Sequence, residues 1–168
     1  MMNAAVQDAF NEQIQHELFS GYLYLSMSAH FDQENLPGFA HWMRLQAQEE
    51  LAHAIRLFDY VLRRGAKAEL RGIDAPPTDF GSPLAVVEGV LEHERKVTGL
   101  IHRLFELSGK EGDWAAQQEL QWFIAEQVEE EDSAATARDQ VRMAGEDQSA
   151  LLMLDQQFGS RVADSGQG

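Results

Sequence analysis

Four segments of the chain repeat apolar residues at alternating steps of three and four, and residues that ionise or bind metals interrupt each repeat near its midpoint. This spacing places the repeated side chains on one face of an α-helix. Four helices that bury these faces against one another predict an all-α fold, a four-helix bundle. The same register places six polar residues inside that bundle: Glu17, Glu50, His53, Glu94, Gln127 and Glu130.

Four carboxylates are unusual in a protein core. An ionised carboxylate that leaves water costs several kcal/mol, in order of magnitude, unless another charge opposes it. No Lys or Arg occupies the middle of any of the four faces. Two divalent cations would balance four carboxylates, and His53 would add a nitrogen ligand. The pattern therefore predicts a site for two metal ions at the centre of the bundle.

Composition limits the classes of function. A chain of 168 residues is long enough for one domain, and 28 acidic against 13 basic residues give a formal net charge of -15, which opposes binding to nucleic acid or anionic membranes. The absence of cysteine excludes disulfides and thiolate metal sites. The N-terminal residues lack the features of a signal peptide, and no apolar run reaches the roughly 20 residues of a spanning helix. We therefore expect a cytoplasmic protein.

Capping residues, prolines and glycines divide the chain into five predicted helices within a single domain over 1–168. The first follows a cap at Asn3, and the third begins at Ser82-Pro83 and is expected to stop at Gly109. The predicted helices lie at about 4–34, 37–64, 83–108, 113–144 and 148–158, with a crossover loop at 66–81 and a tail at 160–168.

Loop lengths predict the topology. The turns after the first and third helices are only a few residues long, so they join antiparallel neighbours. A helix of about 27 residues is roughly 40 Å long, and 16 extended residues span at most roughly 55 Å. The crossover loop can therefore travel the length of the bundle and leave helices two and three parallel. All the interrupting polar residues then lie at one depth.

At these residues the chain resembles the ferritin family over essentially its whole length. The resemblance lies in Glu17, the Glu50-x-x-His53 pair, Glu94 and the Gln127-x-x-Glu130 pair. Symmetric di-iron proteins of the wider superfamily carry Glu-x-x-His on the fourth helix, so the pair found here resembles the non-haem bacterial ferritins. Leu51 and Ala52 stand where bacterioferritin would be expected to have its haem-binding methionine. We therefore expect no haem.

The resemblance implies an iron-storage protein with ferroxidase activity. Glu17, Glu50 and His53 would hold one iron and Glu50, Glu94 and Glu130 the other, with Glu50 bridging and Gln127 beside the pair. Two Fe(II) ions would be oxidised by O2 or H2O2, and the Fe(III) would enter a mineral. The family also implies a hollow homo-oligomeric shell of about 24 subunits with an acidic interior.

Several further residues have two interpretations. Glu49, Glu126 and Glu129 resemble a third iron site that shares Glu130, although a solvated acidic face would have the same sequence. Tyr24 lies seven residues after Glu17 and either serves the metal site, as a hydrogen-bond donor or electron donor, or is a core tyrosine with a satisfied hydroxyl. Packing is the preferred role for Trp122. A surface or interface position is expected for the remaining histidines, which are His16, His30, His41, His93 and His102.

Three alternative functions are open at this point. A di-iron oxygenase or peroxidase would use the same ligands, but it would form small particles instead of a shell. A metal-free helical interaction protein would gain no thermal stability from added Fe(II) or Zn(II). A mini-ferritin that protects DNA is disfavoured by the acidic net charge, the fifth helix and the lack of a basic tail.

Overall fold

The computed structural model describes residues 2–163, so the end of the predicted tail, 164–168, lies outside the described residues. Five α-helices and no strand occur in this range. The helices are α1 Ala4–Gln33, α2 Pro37–Arg63, α3 Pro83–Lys110, α4 Trp114–Ala144 and α5 Gln148–Gly159. None of the described helices is long and apolar enough to cross a membrane. The predicted all-α bundle with a short fifth helix is confirmed.

Side-chain caps fix the starts of four helices. Asn3 Oδ1 accepts the backbone N–H of Ala5 at 2.8 Å, and Asp113 Oδ1 accepts that of Ala116 at 3.0 Å. Ser82 and Asp147 cap α3 and α5 in the same way. Each cap satisfies a donor that the first helical turn leaves unpaired.

The end of α3 differs from the prediction that Gly109 terminates it. The helix continues to Lys110, and Gly112, with a φ of 69°, takes the left-handed conformation after the helix end. Gly109 serves a packing role instead, because a Cβ there would lie 2.5 Å from Nε2 of Gln117 on α4. The glycine therefore leaves room for the Gln117 side chain, which donates a hydrogen bond to the carbonyl oxygen of Phe105 at 3.2 Å.

The connection between α2 and α3 runs along the outside of α1. Asn11, Gln15 and Ser26 donate side-chain hydrogen bonds to the backbone carbonyls of Lys67, Gly72 and Pro77 respectively. The loop residue numbers rise with the α1 residue numbers, so the loop travels in the direction of α1. Because the short turn at 34–36 makes α2 antiparallel to α1, α3 begins where α2 began, and α2 and α3 are parallel.

Two apolar clusters fill the bundle, one at each end. One contains Phe31, Phe39 and Trp42, and the other contains Phe10 and Leu120. The buried carboxylates belong to neither cluster and lie between them along the helices. The core therefore has a polar layer in its middle, at the depth that the helix register predicts.

Helix α5 completes the start of α2. Leu36, the residue before α2, offers no side-chain cap, and the buried Asp155 of α5 supplies one by accepting the N–H of Phe39 at 2.9 Å. Phe158 is fully buried, and its ring lies 4.8 Å from that of Trp42 and 4.7 Å from that of Phe39. The fifth helix is therefore packed into the core of the subunit.

Candidate metal centre

The polar layer collects side chains from all four long helices. Each lies near the middle of its helix, where the apolar face turns inward, and each is buried. Its acidic and histidine members are Glu17 of α1, Glu50 and His53 of α2, Glu94 of α3 and Glu130 of α4. No Lys or Arg is buried in the part of the chain that the structure describes. The layer therefore holds more negative charge than its protein surroundings balance.

Three of these residues form a close cluster. Glu17, Glu50 and His53 offer ligand atoms that all lie within 4.8 Å of one another. Nδ1 of His53 is 3.7 Å from Oε2 of Glu50, and that oxygen is buried without a hydrogen-bond partner. Burial lowers the pKa of His53, which favours the neutral imidazole that binds metals. This cluster has the composition of a site for a divalent transition metal.

Glu94 and Glu130 lie in the same layer but outside that close cluster. Tyr24 donates its hydroxyl hydrogen to Oε1 of Glu94, and Nε2 of Gln127 donates to Oε2 of Glu94 at 3.1 Å. Nε2 of Gln46 donates to Oε2 of Glu130 at 2.9 Å. The carboxylates are thus oriented by neutral donors.

Burial and mutual repulsion raise the pKa values of two of the acids, Glu50 and Glu94. Burial raises the pKa of Glu50 well above its usual range, and the charges of Glu17 and Glu94 raise it further. Burial also raises the pKa of Glu94 to about 7, although the hydrogen bonds from Tyr24 and Gln127 oppose that shift. Without a cation the layer retains protons near neutral pH, and a bound cation would displace them.

Tyr24 is fully buried and fits both of its predicted interpretations. Its hydroxyl is satisfied by Glu94, and its pKa is raised by burial first and by the charge of Glu94 second. The ring lies edge-on to that of His93 at 5.7 Å. Tyr24 therefore contacts a proposed ligand directly and also packs as a core aromatic residue.

The prediction that all the remaining histidines lie at the surface or an interface is wrong for His30, whereas His93 is half-buried. His93 packs against Tyr24 and shares a 2.8 Å hydrogen bond with Ser20, and burial lowers its pKa to about 4. His30 is buried and contacts the carbonyl oxygen of Gly81 at 2.9 Å, which anchors the end of the crossover loop. Spacing from acidic pairs does not report these contacts, because both partners come from other parts of the chain.

A second group of ligand atoms surrounds His53 from another side. Glu49, His53 and Glu126 also lie within 4.8 Å of one another, and the two acids are half-buried. Glu129, which the family resemblance groups with them in a third site, is exposed and lies outside this group. His53 is therefore common to both clusters.

Trp122 packs against His53 and is itself covered by Arg56. The ring of Trp122 lies edge-on at 5.3 Å, and the guanidinium of Arg56 covers the indole at 4.0 Å. Arg56 is fixed in turn by a 2.7 Å ion pair with Glu119. Trp122 therefore packs, as predicted from sequence, but it packs directly on a candidate ligand.

Gln13 and Gln46 are contacts of the layer that the sequence interpretation misses. Nε2 of Gln13 donates to Oε1 of Glu17 at 2.7 Å, and Gln46 donates to Glu130 as described above. The signal that identifies them is spacing, since each lies four residues before a candidate ligand on its own helix.

This architecture matches that of known proteins. The family model described as "Ferritin-like domain" matches residues 7–144. A bacterial non-heme ferritin from Bacteroides fragilis is 44% identical over 161 residues, covering 96% of this chain and 100% of the relative. One from Staphylococcus aureus is 35% identical over 164 residues, covering 98% and 99%. The crystal structure of an open pore ferritin from the hyperthermophilic archaeon Archaeoglobus fulgidus has a TM-score of 0.96 at 46% identity, covering 96% of this chain and 100% of that one.

Proposed function

The chain belongs to the ferritin family, and we propose that it stores iron by binding Fe(II) within the helical bundle, oxidising it there and passing Fe(III) to a mineral. The observation that carries this proposal is the layer of four buried carboxylates with no buried Lys or Arg among the described residues. Two divalent ions would neutralise the layer, and the free energy of binding would offset the desolvation of the acids.

We assign Glu17, Glu50 and His53 to one iron, and Glu50, Glu94 and Glu130 to the other. The close cluster supports the first set. The second set is supported by the effect of Glu94 and Glu130 on the pKa of Glu50, which places all three within electrostatic reach. Carboxylate oxygens are hard ligands, so the set favours the higher charge of Fe(III) over Fe(II). Gln127 acts through Glu94, to which it donates a hydrogen bond.

The reaction balances with either oxidant. Two Fe(II) ions give up one electron each, and O2 accepts both electrons with two protons to form H2O2. With H2O2 as the acceptor, the same two electrons and two protons yield two water molecules. The two Fe(II) ions supply all the electrons in both cases, and Tyr24 orients the Glu94 ligand by donating its hydroxyl hydrogen bond to it.

A third iron site is part of the proposal. Glu49 and Glu126 converge on His53 within 4.8 Å, which supports a site beside the di-iron pair. The exposed Glu129 and the shared Glu130 would join it from α4, as the family resemblance implies. An ion held there would lie between the bundle centre and the surface, on a path for iron leaving the layer.

We also propose assembly into a hollow homo-oligomeric shell of about 24 subunits in the cytoplasm. An apolar groove of about 660 Å³ on the outer face of α1 and α2 supports subunit contact, because exposed apolar side chains line it. Among them, Tyr22, Leu25 and Leu51 are each roughly half exposed. A net charge of -15 suits a shell that concentrates cations.

The test of the proposed reaction is rapid mixing of apo-protein with two Fe(II) per subunit. We expect Glu94→Ala and His53→Ala to lower the initial oxidation rate by about tenfold or more while the particle size is kept. Matched controls are Glu92→Ala and His102→Ala, which remove an exposed glutamate and an exposed histidine of α3. Undiminished oxidation in both core variants would refute the ligand assignment. Particles no larger than dimers in solution scattering would favour a di-iron oxygenase over storage.

A further inference from the structure

Three buried glutamines donate hydrogen bonds to three of the four carboxylates in the layer. All three amides lie inside the bundle, where an amide without a hydrogen-bond partner would destabilise the fold. The pairs are Gln13 with Glu17, Gln46 with Glu130 and Gln127 with Glu94, at 2.7, 2.9 and 3.1 Å. The same hydrogen bond, from a glutamine amide to a glutamate carboxylate, therefore occurs three times in this layer.

The glutamines also share a position in the sequence. Gln13 precedes Glu17 by four residues, Gln46 precedes Glu50 by four, and Gln127 precedes Glu130 by three. One helical turn therefore separates each amide from a candidate ligand on its own helix. Helix α3 has the apolar Val90 at the corresponding place, and there Glu94 receives its donors from other helices, Tyr24 and Gln127.

Glu50 is the exception among the carboxylates. Its Oε2 is buried and has no hydrogen-bond partner, and its one side-chain hydrogen bond is with another carboxyl group, that of Glu17, whereas the other three acids each accept from an amide. It also lies on α2 between the other acids, with Glu17, Glu94 and Glu130 all raising its pKa after burial itself. Glu50 is therefore the carboxylate that no amide restrains.

We propose that Gln13 and Gln46 are positioning residues of the metal centre, each holding one carboxylate as the ligand of a single metal ion. Gln13 fixes Glu17 for one ion, Gln46 fixes Glu130 for the other, and Glu50 stays free to bridge the two. This inference rests on the proposed di-metal site. It assigns a role to two residues that do not themselves touch the metal.

The choice of an amide follows from the charge of the layer. A Lys or Arg donor would orient a carboxylate equally well, but its positive charge would cancel one of the four negative charges and repel the cations. An amide N–H orients the oxygen and leaves its charge available. Hydrogen bonds that orient ligands in this way contribute about 10- to 100-fold to metal affinity.

The test uses Co(II) alone as the probe, in isothermal titration calorimetry of apo-protein and its variants. Gln13→Met and Gln46→Met keep the length of the side chain and remove the N–H donor. The matched controls are Gln15→Met, which removes a 2.5 Å amide hydrogen bond to the backbone of Gly72, and Gln48→Met, an exposed site on α2. Gln13→Leu and Gln46→Leu provide second variants if either methionine variant fails to fold.

We expect wild type and both controls to bind two Co(II) tightly per subunit. Each single variant should weaken one of the two by about 10- to 100-fold, and the double variant should weaken both. Because the two glutamines serve different ions, the two losses of affinity in the double variant should fall on different ions. Neither ion should lose affinity by the product of the two single effects. The visible absorption of bound Co(II), which reports its coordination, should change in each variant and not in the controls.

Other outcomes overturn the inference. If both variants bind two Co(II) within about twofold of wild type while the apo and metal-loaded proteins lose equal thermal stability, the glutamines are structural only. Loss of a single ion in the double variant would overturn the division of roles. If wild type binds no Co(II) in the layer, the proposed function itself fails and this inference falls with it, so the two failures are distinguishable.

Discussion

The stability of the apo-protein should fall as the pH rises towards neutrality. The folded state raises the pKa of Glu94 from 4.5 to about 7. Between these values the folded protein holds a proton that the unfolded chain has released. This contribution to stability is therefore fully present below about pH 4.5 and is lost as the pH rises through 7.

The size of the loss follows from the shift. Each pKa unit corresponds to about 1.4 kcal/mol, so a shift of this size makes Glu94 worth about 3 kcal/mol across the window. For a chain of this length that is roughly 6–12 °C in Tm. Bound divalent ions should reverse the trend, because metal binding favours the ionised acids as the pH rises.

The assay is thermal unfolding of chelator-treated protein at fixed concentration from pH 4.5 to 8, for wild type and Glu94→Gln. The variant loses the titrating group, so its Tm should vary with pH by several degrees less than that of wild type. The amide introduced by Glu94→Gln makes a poorer hydrogen bond with Gln127. That loss should lower Tm by a similar amount at every pH and leave the slope of Tm against pH unchanged. The control Glu92→Gln, exposed on the same helix, should follow wild type. Equal slopes for Glu94→Gln and wild type would refute the reasoning.

Two further predictions concern α5 and Trp122. Gly38→Ala should lower the free energy of unfolding by about 2–4 kcal/mol, since the new Cβ would lie 1.6 Å from the carbonyl oxygen of Asp155. The control Gly89→Ala has open space at its Cβ and should not destabilise the protein in calorimetry. Equal Tm values for the two variants would contradict the docking of α5. Co(II) should quench tryptophan fluorescence through Trp122, whose ring lies 5.3 Å from that of His53, and Trp122→Phe should abolish most of that quenching in a titration. Persistence of full quenching in the variant would argue against a metal at His53.

Helix periodicity predicts the fold and the depth of the polar layer. The register of each apolar face sets which residues turn inward, and short turns align the midpoints of the helices. For that reason Glu17, Glu50, His53 and Glu94 can be placed in the core from sequence. The resemblance to ferritins, and to the non-haem bacterial type in particular, is confirmed by the family and its relatives.

Contacts between distant segments are beyond a periodicity argument. Asp155 caps α2 across 116 residues, and nothing local in α5 identifies its partner. His93 is half-buried against Ser20 and Tyr24 of α1, and these contacts depend on how α1 and α3 face each other.

The ends of helices also depend on contacts with other parts of the chain. The sequence predicts that Gly109 ends α3, whereas the structure places the left-handed glycine three residues later, at Gly112. Gly109 lies against the Gln117 side chain of α4, a contact that depends on how the two helices pack.

Anomalous scattering at the iron edge, from crystals soaked in Fe(II), tests the central claim most directly. We expect two iron peaks per subunit in the polar layer, one among Glu17, Glu50 and His53 and the other among Glu50, Glu94 and Glu130. This expectation would be contradicted by an iron-soaked crystal in which this layer shows no anomalous signal, or in which these side chains point into solvent.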